Sequence, residues 1–279
     1  MIVVTGATGN VGRALVRELA DAGEDVVALS RAISPVDLPP DVTYRVASLS
    51  DLDAMRRALA GAEALFLVIP GEQMFGGVDA HTLLETAKSV GIRRLVLLSS
   101  QAAQTRPTSI SHHRHREFES AAPASGLDWT ILRPGGFHSN SLAWAASIRE
   151  THTIAAPFAD VGLRLIDPTD IAAVAAQTLT TPGHSARTYT LTGPEPITPR
   201  QQAKILGEVL DHPITFTELT REQAISAMPL PAEIATGVLD LLGAPTLEEL
   251  EPTSTVDQIL NRPFRTYAQW AHQHASAFR

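Results

Sequence analysis

Three glycines near the start of the chain have the spacing of a phosphate-binding turn. The segment Thr5-Gly6-Ala7-Thr8-Gly9-Asn10-Val11-Gly12 follows a short apolar run and precedes an amphipathic stretch. Glycines spaced in this way allow a tight turn, close approach of the backbone to a pyrophosphate, and close packing of a helix on a strand. The N-terminus of the following helix offers N–H groups to the phosphates. The segment therefore predicts a dinucleotide site formed by Gly6, Thr8, Gly9, Asn10, Val11 and Gly12.

The end of the next apolar run indicates which dinucleotide is bound. About twenty residues after the glycines, an NAD site places Asp or Glu on the ribose hydroxyls. This chain instead has Ser30 and Arg31 there, with no acid. An arginine forms charge-assisted hydrogen bonds with the 2′-phosphate of NADP, although a solvated arginine at a strand end is the alternative. We therefore predict an NADP (NADPH) site with Arg31 on the 2′-phosphate and Ser30 beside it.

Strand and helix patterns that can position these residues alternate through the first two thirds of the chain. Apolar runs bounded by Gly, Pro or Asp predict buried strands at Ile2–Thr5, Asp25–Ser30, Val42–Val46, Ala64–Ile69, Leu95–Ser99 and Trp129–Leu132. Amphipathic helical patterns lie between them. This alternation predicts the α/β class, with a doubly wound parallel sheet of the Rossmann type.

The regular alternation of strand and helix patterns ends after about residue 134. Further strands are predicted over Val161–Ile166 and Thr188–Thr192, and the pattern beyond Pro194 is mostly helical. We therefore predict a Rossmann-type domain over residues 1–190, with a substrate-loop segment near 134–155. Residues 191–279 are predicted to form a smaller, mostly helical C-terminal substrate lobe that closes the cleft.

Composition and charge narrow the classes of function. The 279 residues are 44% hydrophobic and 19% charged, as in soluble globular proteins. The longest apolar run, Ala62–Pro70, is too short for a membrane span, and no basic segment precedes the first strand, so neither a membrane partner nor a signal peptide is expected. The absence of cysteine excludes thiolate catalysis, and the net charge of −8 gives no general attraction to nucleic acid. These features predict a cytoplasmic protein that acts on a small molecule.

Several segments beyond the glycine turn carry a family resemblance. They are residues 96–100 (VLLSS), 125–134 (SGLDWTILRP), 170–172 (DIA), 192–194 (TGP) and the tail around Pro263. With the glycine turn, they resemble the NmrA-like group of atypical short-chain dehydrogenase/reductases. That group includes NADPH:quinone reductases, isoflavone-reductase relatives and redox-sensing regulators without catalytic activity. The resemblance implies that Ser48, Pro70, Ser99 and Pro134 also lie around the cofactor, and it leaves a homodimer open.

The sequence lacks the residues that usually supply the acid in a hydride-transfer reaction of this family. Short-chain dehydrogenases usually use Tyr-x-x-x-Lys, but none of the three tyrosines here has a lysine four residues later. By resemblance, Ser111 falls on the tyrosine position and His115 on the lysine position. Glu119 lies one helical turn after His115, so we predict that it orients the imidazole and raises its pKa. His115 is then a catalytic proton donor or a ribose ligand, unless it belongs to a surface cluster with His112 and His113.

Two loops at the carboxyl edge of the sheet are expected to meet the nicotinamide. One leaves the fourth strand as Ile69-Pro70-Gly71, and the other is formed by residues 134–140. By resemblance, residues 134–140 flank both cofactor and substrate, so Phe137 is a candidate for stacking on an aromatic ligand. His138, Asn140 and Gln101 are candidates for polar contacts, although each also fits ordinary loop packing. No carboxylate stands at a recognised ligand spacing from His112, His113 and His115, so no metal site is predicted.

These residues favour an NADPH-dependent reductase that transfers a hydride to a small quinone- or carbonyl-like substrate. A quinone is reactive enough to need no strong acid, which suits a site without the Tyr–Lys pair. Two alternatives stay open on the same fold. One is an NADP-binding redox sensor without catalytic activity, and the other is an isomerase or cyclase without net redox chemistry.

Overall fold

The strands form one large parallel sheet and one small one. The computed structural model describes residues 1–32 and 39–279. Its strands are β1 (Ile2–Thr5), β2 (Val26–Ser30), β3 (Thr43–Val46), β4 (Ala64–Val68), β5 (Arg94–Leu98), β6 (Asp128–Pro134), β7 (Thr153–Pro157), β8 (Arg187–Leu191) and β9 (Thr215–Leu219). Seven of them pair in the order β3-β2-β1-β4-β5-β6-β8, and β7 pairs with β9. This arrangement confirms the predicted doubly wound, Rossmann-type fold.

Helices cover both faces of the large sheet. They are α1 (Asn10–Asp21), α2 (Leu52–Leu59), α3 (Ala80–Ser89), α4 (Gln101–Thr105), α5 (His113–Ala124), α6 (Ala145–Thr151), α7 (Pro168–Thr180), α8 (Pro199–Leu210), α9 (Arg221–Ala227), α10 (Ala232–Gly243), α11 (Leu247–Leu250), α12 (Thr255–Leu260) and α13 (Tyr267–Gln273). On one face, Leu15 of α1 and Ile171 of α7 belong to one buried cluster. On the other, Leu83 of α3 and Phe118 of α5 belong to a second. Two buried faces explain why the strands are apolar throughout rather than alternating.

The strand order reverses between β1 and β4, where a crevice opens at their carboxyl ends. The Thr5 hydroxyl donates to the Phe66 carbonyl oxygen at 3.0 Å and accepts from the Val68 N–H at 2.9 Å, so one side chain joins the two strand ends. Ligands of open α/β sheets bind in the crevice at such a reversal. The glycine segment begins directly after Thr5 and therefore at this point.

The strand predicted over Val161–Ile166 is wrong. This segment forms only isolated bridges, from Leu163 to Ile197 and from Ile166 to Phe137. Its apolar side chains anchor a loop between two cores, since Leu165 packs into the C-terminal cluster and Ile166 into the sheet cluster. The alternating apolar pattern of this segment therefore belongs to an extended loop and not to a strand of the sheet.

The C-terminal region is mostly helical, as predicted. Its core combines residues after Pro194, such as Leu206 and Trp270, with Ile148 and Ile154 from the segment that follows β6. The parallel pair β7–β9, which the sequence did not predict, joins these two parts. The domain division at residue 190 stays a prediction. Across the described residues, no helix combines the length and apolar character needed to cross a membrane.

Candidate active site

A cavity of about 820 Å³ lies along the carboxyl ends of β1, β2 and β4. Its volume is in the range that nucleotide-sized ligands require. Nine of the residues predicted to bind cofactor line it: Gly6, Thr8, Gly9, Asn10, Val11, Gly12, Ser30, Arg31 and Pro70. The structure therefore brings the glycine turn, the β2 end and the β4 loop into one site.

The glycine turn has the geometry of a phosphate cradle. Gly6 has φ +60°, and a Cβ on it would lie 2.4 Å from Cγ1 of Val68. A Cβ on Gly12 would lie 2.2 Å from the Gly6 carbonyl oxygen, so the first turn of α1 sits directly on the loop. Gly9 is the N-cap residue of α1 and has no capping side chain. The N–H groups of this helix end therefore face the cavity without a side chain in between, which fits a pyrophosphate.

Ser30 and Arg31 occupy the end of β2 at the edge of the cavity. The Ser30 hydroxyl donates to the Ala32 carbonyl oxygen at 2.6 Å and contacts the Tyr44 hydroxyl, which donates to the same carbonyl at 2.5 Å. These bonds fix the backbone on either side of Arg31, whose side chain is exposed at the cavity edge. The position suits a guanidinium that binds a phosphate on the adenosine ribose.

The structure places Ser48, Ser99 and Pro134 outside the lining of this cavity. Ser48 accepts a hydrogen bond from the Ser50 N–H at 3.3 Å, while its neighbours Ala47 and Leu49 do line the cavity. The Ser99 hydroxyl donates to Glu119 at 2.6 Å, and Pro134 lies buried at the end of β6. Their predicted cofactor contacts stay predictions.

Apolar residues that the sequence did not single out complete the wall. The cofactor site is predicted from the glycine turn and from residues just after the strands, yet apolar side chains of the buried strands also contribute. These residues are Leu29, Phe66, Val68 and Leu98, whereas Ile69 and Gly71 of the predicted β4 loop also line the cavity. Their position at the last residues of predicted strands was the signal that would have found them.

The predicted pairing of His115 with Glu119 is wrong. Although the two residues are one turn apart, Glu119 accepts hydrogen bonds from Nε and Nη2 of Arg133 at 2.9 and 2.6 Å, and from Ser99. A guanidinium binds both carboxylate oxygens at once and so outcompetes an imidazole on the same helix. Nδ1 of His115 is buried without a hydrogen-bond partner in the described structure.

The electrostatics of this helix face also contradict the predicted imidazolium. Burial, together with repulsion from His112 and Arg116, lowers the pKa of His115 to about 3. Burial likewise lowers the pKa of His112, whose ring stacks on that of His115 with centroids 5.7 Å apart, to about 4. Ser111, predicted at the acid position, is buried and bonds to Nδ1 of His112 at 2.9 Å. Both rings are therefore neutral at neutral pH, and the catalytic roles of Ser111, His115 and Glu119 stay predictions.

The lowered histidine pKa values predict an acid-sensitive fold. In the unfolded chain histidine titrates near 6.5, so below that pH the unfolded state binds a proton that His115 in the folded protein does not bind. The contribution of His115 to the free energy of unfolding is therefore fully present above about pH 6.5 and is lost as the pH falls below that value. In urea titrations, we expect His115→Gln to reduce the loss of stability between pH 7.5 and 5.0 by about 2 kcal/mol. Identical pH dependence in both proteins would show that His115 titrates normally.

The loop after β6 lies between the cofactor cavity and the C-terminal lobe. Phe137 lines the cofactor cavity. The Asn10 amide of the glycine turn donates to the Ser139 hydroxyl at 3.0 Å and so ties the two loops together. Asn140 lines a second cavity of about 440 Å³ on the lobe side. The loop thus borders both cavities.

The other predicted substrate residues are engaged within the protein. His138 is 2% exposed and packs edge-on against the Tyr267 ring, and burial lowers its pKa to about 4. Gln101 is buried and donates from Nε2 to the Glu248 carbonyl oxygen at 3.2 Å. Neither residue lines the cofactor cavity or the second cavity. Their substrate contacts stay predictions.

Comparison with known proteins agrees with this site. A family model described as NAD(P)H-binding matches residues 6–182. A (4-alkanoyl-5-oxo-2,5-dihydrofuran-3-yl)methyl phosphate reductase from Streptomyces griseus is 36% identical over 100% of this chain and 99% of its own length. An NAD(P)H azoreductase from Xenophilus azovorans is 32% identical over 100% and 99% of the two chains.

One of the solved structures similar to this chain contains a bound cofactor. The NADPH-dependent quinone oxidoreductase of Escherichia coli, complexed with NADPH, matches with a TM-score of 0.80 and 26% identity over 98% of this chain and 99% of its own. The cradle of Gly6, Gly9 and Gly12 and the cavity beside it fit the same group. The chain therefore belongs to the NAD(P)H-binding family, as an NmrA-like atypical short-chain dehydrogenase/reductase that is an NADPH-dependent oxidoreductase.

Proposed function

We propose that this oxidoreductase transfers a hydride to a small, flat quinone- or carbonyl-like substrate. The observation that carries the proposal is the position of two cavities against one short loop. Phe137 lines the cofactor cavity, and Asn140, three residues later, lines the second cavity. A substrate bound in the second cavity is therefore next to the loop that also borders the cofactor cavity.

The names of the relatives support an electron-poor acceptor. They describe reductases of an oxo-dihydrofuran, of azo compounds and of quinones. These acceptors share a conjugated double bond that takes up a hydride readily. Such acceptors need little acid assistance, in keeping with a chain that has no Tyr-x-x-x-Lys and whose His115 is neutral at pH 7.

The residues of this chain bind, orient and shield the reactants. NADPH, when bound, supplies the hydride. The glycine turn and the α1 N-terminus hold the pyrophosphate, and Arg31 holds the 2′-phosphate. Phe137 offers an aromatic face to the cofactor cavity on the side of the substrate loop and excludes water there.

The overall reaction balances without an acidic side chain. A quinone gains two electrons and one proton as the hydride, and a second proton from water gives the hydroquinone. NADPH is oxidised to NADP in the same step. Because that second proton reaches an oxygen that is already basic, solvent can deliver it.

Anaerobic incubation with NADPH and a panel of quinones tests the proposal. We expect loss of NADPH absorbance, with one hydroquinone formed for each NADPH consumed. Azo compounds and simple ketones in the same panel show how far the acceptor range extends. Tight binding of NADPH without turnover of any acceptor would instead identify a sensor.

The proposal makes a specific prediction for His115. If water supplies the second proton, His115→Ala should keep kcat for quinone reduction within about 3-fold of the wild type. A general acid would cost roughly 100-fold or more in kcat. Steady-state kinetics at saturating NADPH separates these outcomes, and a rise only in the cofactor dissociation constant would assign His115 to ribose binding. A 100-fold loss would restore it as the acid.

A further inference from the structure

The second cavity has a lining that selects for uncharged molecules. It encloses about 440 Å³ between the loop after β6, the β7 end, α9 and α10. None of the described residues that line it is charged, and its large side chains include Trp144, Phe158 and Met228. A charged group placed there would lose its hydration without gaining an ionic partner.

Phe158 is held in the wall of this cavity by a strained backbone. Its φ is +56°, a left-handed conformation that bulky residues rarely adopt. A Cβ on Gly243 of α10 would lie 2.6 Å from the Phe158 ring, so only glycine admits the ring in this place. Strain of this kind concentrates at ligand sites, where the surrounding structure enforces it.

A chain of hydrogen bonds leaves one amide donor at the cavity. The Tyr267 hydroxyl donates to Oγ of Ser141 at 2.8 Å, and Ser141 donates to Oε1 of Gln202 at 3.0 Å. Burial raises the pKa of Tyr267, so its hydroxyl stays a donor and fixes the direction of the chain. Gln202 is 5% exposed and lines the cavity, and its Nε2 group has no protein acceptor among the described residues.

We propose that this cavity binds an uncharged quinone-type substrate that carries an apolar substituent, with a substrate carbonyl oxygen on Nε2 of Gln202. The substituent lies among Trp144, Phe158 and Met228. This inference rests on the proposed reductase activity and assigns its substrate class. It separates the chain from its Streptomyces griseus relative, whose named substrate carries a phosphate.

Three acceptors of one series test the substrate class: benzoquinone, hexylbenzoquinone, and hexylbenzoquinone with a phosphate at the chain end. A buried methylene contributes up to about 0.8 kcal/mol, so we expect kcat/KM for the hexyl compound to exceed that of benzoquinone by at least about 10-fold. The phosphate should remove this gain. Equal values for all three acceptors would overturn the proposed cavity while leaving the reductase activity established.

Two variants separate the parts of the site. Ala227 is an exposed lining residue at the end of α9, so Ala227→Trp fills the cavity without disturbing the core. It should abolish the hexyl preference, so that kcat/KM for hexylbenzoquinone falls to the value for benzoquinone. Gln202→Glu replaces the amide donor by an acceptor and should raise KM for both quinones by about 10-fold. A hexyl preference that persists in Ala227→Trp would place the substituent elsewhere.

Gln201→Glu is the matched control for Gln202→Glu. Gln201 is exposed at the N-terminus of α8, where it forms a capping box with Thr198 that glutamate also satisfies. KM should stay at the wild-type value, and an equal rise in both variants would trace the effect to charge rather than to the Gln202 donor. If no acceptor turns over, the proposed function fails, and calorimetry with hexylbenzoquinone then decides the cavity separately. Binding that Ala227→Trp removes supports the site, and absence of binding overturns it.

Discussion

Gly9→Val should abolish NADPH binding while the protein stays folded. Gly9 has φ −80° and ψ 174°, an extended conformation that valine also adopts. A Cβ there would lie 3.2 Å from the Gly6 carbonyl oxygen, so the turn needs to shift by only a few tenths of an ångström. The valine side chain would stand at the helix N-terminus, in the space where the backbone must approach a pyrophosphate. We expect the NADPH dissociation constant to rise at least about 100-fold by calorimetry. The circular dichroism spectrum and melting temperature should stay close to those of the wild type.

Gly12→Ala is the contrasting variant because its defect lies in folding. A Cβ at Gly12 would meet the Gly6 carbonyl oxygen at 2.2 Å, so the helix and loop must separate. We expect a lower melting temperature together with weaker NADPH binding. The pair therefore distinguishes loss of a ligand site from loss of local structure. Normal NADPH affinity in a folded Gly9→Val protein would show that the phosphates bind elsewhere.

The cofactor end of the site follows from the sequence because its determinants are local. Gly6, Gly9 and Gly12 lie within one turn, and Arg31 directly follows a strand whose apolar run is unmistakable. In a parallel sheet, all such strand ends meet at one edge. Local sequence therefore places these residues in one cavity, and the structure does bring them together.

The substrate end depends on partners that are distant in the sequence. The strand Thr153–Pro157 forms only with Thr215–Leu219, and neither segment has a strong apolar pattern of its own. Glu119 is correctly spaced for His115, but its ionic partner is Arg133 on the neighbouring strand. Helical spacing establishes that two side chains share a face, not which neighbour each of them binds. The second cavity is built from several such segments. For this reason the sequence patterns do not predict it.

Arg31→Ala should weaken NADPH binding far more than NADH binding. The guanidinium is exposed at the cavity edge beside the β2 end, where the adenosine ribose of a bound dinucleotide lies. A charge-assisted pair with the 2′-phosphate is worth roughly 1.5–3 kcal/mol, so the NADPH dissociation constant should rise about 10- to 150-fold. NADH lacks this phosphate, and its affinity should change less than about 3-fold. Calorimetry with both cofactors measures the two effects.

The matched control for this arginine is Arg56→Ala. Arg56 is also an exposed arginine, but it pairs with Asp53 on α2 and does not line the cavity. Its removal changes the net charge equally, so it reports the general electrostatic effect on a polyanionic cofactor. Higher salt should narrow the NADPH difference between wild type and Arg31→Ala, because screening weakens an exposed ion pair. Equal losses for NADPH and NADH in Arg31→Ala would mean that this residue supports the fold of the site rather than reading the 2′-phosphate.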